Sequence, residues 1–226
     1  SYFSDKICLD SGGNHIDTLR KSDYIIYKHT ARNIRSYDCG SVFNPAFPRQ
    51  EKMHTYKPLL EEVIDSVENH LIRHHRIAAN YNLEIKSSPQ GDNILHPAPD
   101  VFAKILVKLL KRKGVISRCI IQSFDCRALQ AVHLLDNTVR TSLLIDEESS
   151  DFKRNIEQLG FVPDYYSPYF KLVNQPLVDY LHSKQIKLVP WTINNKEEMK
   201  KLIGLNVDGI ITDYPDSLIS LLKGMR

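Results

Sequence analysis

The sequence predicts an α/β fold of the TIM (β/α)8 barrel type, incomplete, with about six of the eight strand–helix units present. From residue 57 onward, strand-type and helix-type segments alternate, and after the first interval the strands recur about every 22 residues. Repeated strand–helix units imply parallel strands joined by crossovers. Polar or aromatic residues follow every predicted strand, as expected when a site gathers at the carboxyl ends of many strands. The absence of a GxGxxG or GxxxxGK[ST] motif argues against an open nucleotide-binding sheet.

Six strands and seven helices are predicted from apolar periodicity and turn residues. The strands are 81–86, 119–124, 141–145, 164–166, 187–191 and 209–212. The helices are 58–71, 99–113, 127–135, 150–159, 175–183, 196–203 and 216–222. On the helix over 99–113, we expect the apolar face to consist of Phe102, Ile105, Leu106 and Leu109. A closed barrel needs two more strands, which are either hidden before residue 57, missing, or not needed because the sheet is open.

Residues 1–56 lack this regularity and are predicted to be an irregular, insertion-like segment. Its clearest local signal is the Ser-Gly-Gly-Asn turn at 11–14, which predicts the tip of a hairpin. Residues 57–226 hold the repeated units, and the prediction is a single barrel domain over 1–226.

Bulk composition excludes several classes of function. A net charge of +3, with no basic run, gives no support for nucleic-acid binding. No stretch of 18 apolar residues is present, so no transmembrane segment is expected. Four cysteines without CxxC spacing predict neither a structural zinc site nor an essential disulfide. The chain lacks an initiator Met, so we expect a processed form or a fragment, which leaves periplasmic, secreted and cytoplasmic locations open.

The strand over 81–86 carries the strongest candidate site. Side chains alternate along a strand, so Asn82, Glu84 and Lys86 share one face. A carboxylate there can hold a divalent cation, and an ammonium group can meet a phosphate oxygen. The alternative is an ion pair between Glu84 and Lys86 that only supports the fold.

Four short motifs resemble the glycerophosphodiester phosphodiesterases. They are Asn-Leu-Glu-Ile-Lys at 82–86, Ile-Gln-Ser-Phe-Asp at 121–125, Val-Pro-Trp-Thr-Ile-Asn at 189–194 and Val-Asp-Gly-Ile-Ile-Thr-Asp-Tyr-Pro at 207–215. Each is weak alone, but all four occur in the family's order within residues 58–222. The resemblance implies a TIM barrel and metal-dependent hydrolysis of a small-molecule glycerophosphodiester to glycerol 3-phosphate and an alcohol.

The resemblance also implies roles for particular residues. Glu84 would be a catalytic metal carboxylate, with Mg²⁺ or Ca²⁺ as the divalent cofactor, and Lys86 would be catalytic by binding the phosphate. Gln122 would bind substrate, although a buried and satisfied amide is equally consistent. Trp191 would form an apolar wall for the glycerol moiety, or else pack in the core.

Two further polar residues have simpler expected roles. Asp213 is expected to cap the helix that begins near residue 216. His96, in the loop after Lys86, is expected to be solvated, with approach to the substrate as the alternative.

The sequence departs from the family pattern at its start. The His-Arg-Gly segment, the Glu-x-Asp pair and the second histidine motif of the family are absent. We therefore expect two strands, two acid–base histidines and two metal carboxylates to lie upstream of Ser1, and the 226 residues alone to be inactive. A catalytically dead barrel that serves as a binding module and a lysophospholipid-directed phosphodiesterase are the competing hypotheses. The coding sequence upstream of Ser1 separates the enzyme from the binding module, and substrate profiling tests the third.

Overall fold

The computed structural model describes residues 1–225, which group into two compact units. The first unit contains residues 1–79 and 88–98, and the second contains residues 80–87 and those from 99 onward. The helix predicted over 58–71 thus lies in the first unit, whereas the sequence predicted that the repeated strand–helix units begin at residue 57. The single domain over 1–226 stays a prediction.

The first unit is built from short elements around a small apolar cluster. Its helices are α1 (Ala31–Arg35) and α2 (Leu60–Arg73), with 3₁₀ helices at Thr18–Tyr24, Ile26–Lys28 and Pro89–Gly91. The side chains of Phe3 and Tyr37 stack with ring centroids 3.8 Å apart beside Cys8 and Ile16. The predicted hairpin tip is confirmed, because Leu9 and His15 form an antiparallel bridge and Gly13 has a φ of 81°.

Cys8 and Cys39 form a disulfide in this unit. The cysteine spacing had predicted no essential disulfide, and the presence of this bond contradicts the reasoning behind that prediction. Leu9 and Asp38 exchange backbone hydrogen bonds of 2.6 and 3.1 Å, which places the adjacent Cys8 and Cys39 opposite each other. The pairing depends on strand contacts across 31 residues, and cysteine spacing alone carries no signal of it.

The Asp38 carboxylate organises the chain next to the disulfide. Its Oδ1 accepts hydrogen bonds from the backbone N–H groups of Gly40, Ser41 and Thr55, at 3.0, 3.2 and 3.2 Å. The Ser41 hydroxyl, together with these N–H groups, holds the pKa of Asp38 well below its usual range. This carboxylate therefore joins residues 38–41 to residue 55.

The second unit is a five-stranded parallel sheet covered by helices. The strands are β1 (Tyr81–Glu84), β2 (Cys119–Ser123), β3 (Arg140–Ile145), β4 (Tyr165–Pro168) and β5 (Lys187–Leu188), in the spatial order β1-β2-β3-β4-β5. The helices are α3 (Pro99–Arg112), α4 (Cys126–Leu135), α5 (Phe152–Leu159), α6 (Gln175–Ser183), α7 (Lys196–Gly204) and α8 (Pro215–Gly224). The predicted helices are thus confirmed, with ends shifted by at most two residues.

The two faces of the sheet differ in character because side chains alternate along each strand. The fully buried face that packs under the helices includes Ile85, Ile121, Leu143 and Tyr166. The opposite face carries polar side chains, among them Glu84 and Gln122, which are partners in the β1–β2 register. This alternation places the candidate residues away from the helical layer.

The sheet is open, as an incomplete barrel requires. Among the described residues, β2 is the only sheet neighbour of β1, so the strand that carries Glu84 lies at an edge of the sheet. The prediction of a strand at 209–212 is wrong, because this segment does not form a regular strand. Its backbone still pairs with the segment that follows β5, because Ile211 N–H donates to Pro190 O and Ile193 N–H donates to Ile211 O, both at 2.9 Å. Pro190 has no N–H group, which interrupts the ladder.

The predicted apolar face of α3 is confirmed at Leu106 and wrong at Ile105, while Phe102 and Leu109 are half-buried. Ile105 is 57% exposed, and the buried stripe is Ala103, Leu106, Val107 and Leu110. Both sets have the spacing i, i+3, i+4, i+7, so periodicity allows either. Packing of α3 against α4 selects the stripe that contains the small Ala103.

Helices α3 and α5 each end within two residues of a glycine. The residues Gly114 and Gly160 have φ values of 69° and 79°, a conformation that only glycine adopts without strain. None of the helices within residues 1–225 has both the length and the apolar character needed to cross a bilayer.

Reduction of the Cys8–Cys39 disulfide should destabilise the first unit by about 3 to 4 kcal/mol, because a loop of roughly this length regains its freedom in the unfolded chain. Denaturant unfolding of Cys8→Ser/Cys39→Ser, followed by hydrogen exchange at residues 1–56, measures this. Cys126→Ser, at a free thiol, is the matched control and should change little. Equal stability with and without reductant would contradict the expectation.

Because of the ion pair between Lys111 and Asp136, the free energy of unfolding should decrease as the pH falls into the acid range. Hydrogen bonds from Lys111 and Thr138 lower the pKa of Asp136 to about 2. A lowered folded-state pKa gives stability that is present above the unfolded value and lost as pH falls toward 2. The stability difference between the native chain and Asp136→Asn should therefore shrink from pH 5 to pH 2, and Lys111→Gln should behave alike. Urea titrations at each pH test this, and a constant difference would contradict it.

Candidate active site

The residues Glu84 and Lys86 lie together at the carboxyl end of β1, as their spacing predicts. Lys86 Nζ is 2.7 Å from Glu84 Oε1. The ammonium-bearing side chain is 68% exposed, whereas that of Glu84 is 22% exposed. Among residues 1–225, Glu84 Oε2 has no hydrogen-bond or ion-pair partner, so one carboxylate oxygen and the ammonium group are both open to a ligand.

The side chain of Gln122 extends this polar face onto β2. Its Cα is paired with that of Glu84 in the register, and its Oε1 accepts a 2.9 Å hydrogen bond from Asn82 Nδ2. The contact uses the amide oxygen, and within the described chain no acceptor contacts Gln122 Nε2. The amide is therefore oriented by Asn82 and retains a donor for a ligand.

The side chain of Trp191 lies in an aromatic cluster at the same end of the sheet. Its Nε1 donates a 2.9 Å hydrogen bond to Ser167 O, so its polar edge is satisfied by β4. Its ring meets Phe124 edge-on with centroids 5.4 Å apart, and Tyr169 lies at 5.8 Å. Sequence reasoning named Trp191 but missed Phe124 and Tyr169, although each directly follows a strand end. No hydrogen bond joins Trp191 to Glu84 or Lys86 in the described structure.

A second group that sequence reasoning missed surrounds Asp125. Its carboxylate accepts hydrogen bonds from Ser87 Oγ at 2.9 Å, and from Arg127 Nε and Nη2 at 3.0 and 2.8 Å. Burial raises the pKa of Asp125, but the hydrogen bonds from Arg127 and Ser87 outweigh it, so the pKa lies below its ordinary value. The signal available in the sequence was its position, since it follows β2 and caps α4.

The structure gives His96 and Asp213 other roles than expected. His96 is 6% exposed within the first unit, where its Nε2 accepts from Ser88 N–H at 3.1 Å. Nδ1 therefore carries the proton and donates to Pro97 O at 2.8 Å. Both ring nitrogens thus bond to backbone groups of the loop, and the expectation that His96 is solvated is wrong. Asp213 accepts a hydrogen bond from Asn194 Nδ2 at 2.8 Å. Tyr214 is the N-cap residue of α8 and makes no side-chain cap hydrogen bond, so the capping prediction for Asp213 is wrong.

The residues present fit a divalent cation only in part. Within residues 1–225, no three His, Cys, Asp or Glu side chains cluster as a metal site. Glu84 nevertheless offers the hard carboxylate oxygen that Mg²⁺ and Ca²⁺ prefer, and Mg²⁺ is commonly held by one or two carboxylates together with substrate phosphate. Chemically, this end of the sheet can hold an anion at Lys86, donate a hydrogen bond from Gln122 and contribute one oxygen ligand.

Comparisons with known proteins agree with the fold. The chain matches a crystal structure assigned as a glycerophosphoryl diester phosphodiesterase from Silicibacter pomeroyi, with a TM-score of 0.83 and 23% identity. The match covers 99% of this chain and 77% of that protein. A phosphodiesterase from Oleispira antarctica, solved with the product sn-glycerol-3-phosphate, matches with a TM-score of 0.64 and 18% identity over 88% of this chain and 72% of that one. These likenesses support the incomplete TIM-type barrel.

Curated relatives point to the same group of proteins. The glycerophosphodiester phosphodiesterase of Bacillus subtilis is 32% identical over 206 residues, which is 87% of this chain. The match spans 65% of the length of that relative. A glycerophosphodiester phosphodiesterase of Caldanaerobacter subterraneus is 27% identical over 92% of this chain and 77% of its own length. The model of the glycerophosphoryl diester phosphodiesterase family matches residues 9–217. The chain therefore belongs to the glycerophosphoryl diester phosphodiesterase family.

Proposed function

We propose that this chain takes part in the hydrolysis of glycerophosphodiesters to glycerol 3-phosphate and an alcohol. The observation that carries the proposal is the exposed ammonium group of Lys86, held 2.7 Å from Glu84 at the carboxyl end of β1. Family membership supports it, as do relatives named for this activity and a structural neighbour bound to sn-glycerol-3-phosphate.

Each candidate residue has a role that its contacts suit. Lys86 would meet a phosphate oxygen and stabilise the negative charge that builds there during attack on phosphorus. Gln122 would donate its remaining amide hydrogens to the substrate, since Asn82 already occupies its oxygen. Trp191, with Phe124 beside it, would form an apolar wall for the carbon skeleton of the glycerol moiety.

A divalent cation, Mg²⁺ or Ca²⁺, is part of the proposal, with Glu84 as one of its oxygen ligands. When bound, such a cation would polarise the phosphate oxygens. Glu84 Oε2, which has no hydrogen-bond or ion-pair partner within residues 1–225, would be the oxygen offered to the cation, while Oε1 contacts Lys86. Proton transfer is not assigned to a residue of this chain.

The disulfide in the first unit bears on the compartment. Disulfides persist in oxidising environments and are rare where thiols are kept reduced. Cys8 is fully buried within the pair, as expected of a structural disulfide. We therefore propose the extracytoplasmic alternative among the locations that the sequence left open.

Substitution of Lys86 should weaken product binding more than any other change in the site. Lys86→Ala should lower the affinity for sn-glycerol 3-phosphate about 10- to 100-fold, because a charged hydrogen bond contributes roughly 1.5–3 kcal/mol. Glu84→Ala should instead abolish the gain in affinity caused by added Mg²⁺ or Ca²⁺. Calorimetric titration with and without cation separates the two effects.

Lys104→Ala, on the exposed surface of α3, is the matched control and should leave binding unchanged. Equal affinities for the native chain and Lys86→Ala would remove the basis of the proposed function. Binding of the product without any release of it from substrates would favour the binding-module alternative.

The 226 residues by themselves should hydrolyse glycerophosphocholine no faster than their Glu84→Ala variant. Within residues 1–225 no three His, Cys, Asp or Glu side chains cluster as a metal site, so a hard cation at Glu84 would be held mostly by water. General acid–base help contributes about 10²–10⁴-fold when present. Enzymatic detection of released glycerol 3-phosphate, with Mg²⁺ or Ca²⁺, measures the rate. A rate well above the Glu84→Ala control would contradict this prediction, because it would mean that groups within these residues are sufficient for catalysis.

A further inference from the structure

We infer that the turn Ser123-Phe124-Asp125 is a positioning element for Lys86, and that Ser87 and Asp125 are positioning residues for phosphate binding. The inference rests on the proposed function. The regular pairing of β1 ends at Glu84, so the sheet ladder does not reach Lys86 itself. Side chains of the turn instead hold the residues on both sides of Lys86.

The first attachment fixes the residue before Lys86. Ile85 N–H donates to Gln122 O at 2.9 Å, and Ser123 Oγ donates to Ile85 O at 2.7 Å. The Ser123 hydroxyl also accepts from Asp125 N–H at 3.0 Å. Ser123 is fully buried, so this hydroxyl satisfies two backbone groups that water does not reach. Both backbone groups of Ile85 are thus tied to β2 and its turn.

The second attachment fixes the residue after Lys86. Ser87 Oγ donates to Asp125 Oδ2 at 2.9 Å. Arg127 holds the same carboxylate from the other side with two hydrogen bonds, through Nε to Oδ1 and Nη2 to Oδ2. Such a two-point contact sets the orientation of the carboxylate as well as its position. The side chain of Asp125 is 7% exposed, which limits competition from water.

These attachments anchor the chain on both sides of Lys86, whose side chain is 68% exposed and contacts Glu84. A lysine has four rotatable side-chain bonds, and ordering them on binding costs free energy. Anchoring the root of the side chain limits the volume that the ammonium group samples, which brings it more often to the position where it meets Glu84 and a phosphate oxygen. Misplacement by a small distance can cost a large factor in binding or rate.

Helix capping alone does not account for Asp125. It does accept from Arg127 N–H at 3.1 Å, the ordinary cap of α4. Asp151 caps α5 in the same way, from Arg154 N–H at 3.1 Å, yet none of its hydrogen bonds involves residues 84–87. If capping were the only role, loss of the Ser87 hydroxyl would have no effect on phosphate.

The test compares Ser87→Ala, Asp125→Asn and the matched cap control Asp151→Asn. Ser87→Ala is the sharpest variant, because it removes one hydrogen bond and leaves Asp125 paired with Arg127. Amide hydrogen exchange at residues 85–88 reports whether the chain around Lys86 is held. Inorganic phosphate is the binding probe, titrated into each variant with Lys86 present and again in the Lys86→Ala background.

We expect Ser87→Ala and Asp125→Asn to speed exchange at residues 85–88 and to weaken phosphate binding about 3- to 10-fold, the factor that one hydrogen bond represents. In the Lys86→Ala background neither substitution should weaken binding further, because a positioning residue acts only through the residue it positions. Asp151→Asn should change neither measurement.

Unchanged exchange and affinity in Ser87→Ala would overturn the inference, as would an equal loss of affinity with and without Lys86. The proposed function itself is contradicted by a separate result, which concerns Lys86 alone. If Lys86→Ala itself leaves phosphate affinity unchanged, Lys86 does not bind phosphate, and the positioning role falls with it. If Lys86→Ala weakens phosphate binding but Ser87→Ala and Asp125→Asn do not, only the positioning role is overturned.

Discussion

The parallel pairing of β1 with β2 is the contact on which the candidate site depends. It places Glu84 opposite Gln122, and its last backbone bond runs from Ile85 N–H to Gln122 O. A register change of one residue would turn Glu84 toward the helices and bring an apolar side chain onto the polar face. Burial of Ile85 and Ile121 under the helices opposes such a change, so the hydrophobic layer sets the geometry of the polar one.

The site combines one rigid element with groups that a ligand can still engage. Hydrogen bonds within the protein hold the backbone around Lys86, the oxygen of Gln122 and the indole N–H of Trp191. The ammonium group of Lys86 and one oxygen of Glu84 stay available. Preorganisation of this kind lowers the cost of ordering side chains when an anion binds. Because β1 lies at the open edge of the sheet, the polar face that carries Glu84 has a strand neighbour on one side only among the described residues.

Several expectations failed where distant parts of the chain meet. The Cys8–Cys39 disulfide depends on an antiparallel contact between Leu9 and Asp38, which no spacing rule reveals. On α3, the buried stripe was displaced by one residue, because two stripes share the same period and only contact with α4 chooses between them. Asp213 precedes a helix and would suit a cap, but Asn194 from the neighbouring segment takes its carboxylate.

Local patterns in the sequence were enough to predict the helices and five strands of the second unit, the polar face of β1 and the family resemblance, because alternation, glycine stops and short motifs are local features. The same patterns identified Glu84, Lys86, Gln122 and Trp191 as candidates, since each lies at or near a predicted strand end. The groups that surround these residues became known only from the folded structure. The link from Ser87 to Asp125 spans 38 residues, and the contact of Trp191 with Phe124 joins different strand ends. Such contacts arise from the register of the sheet, and no local pattern encodes them.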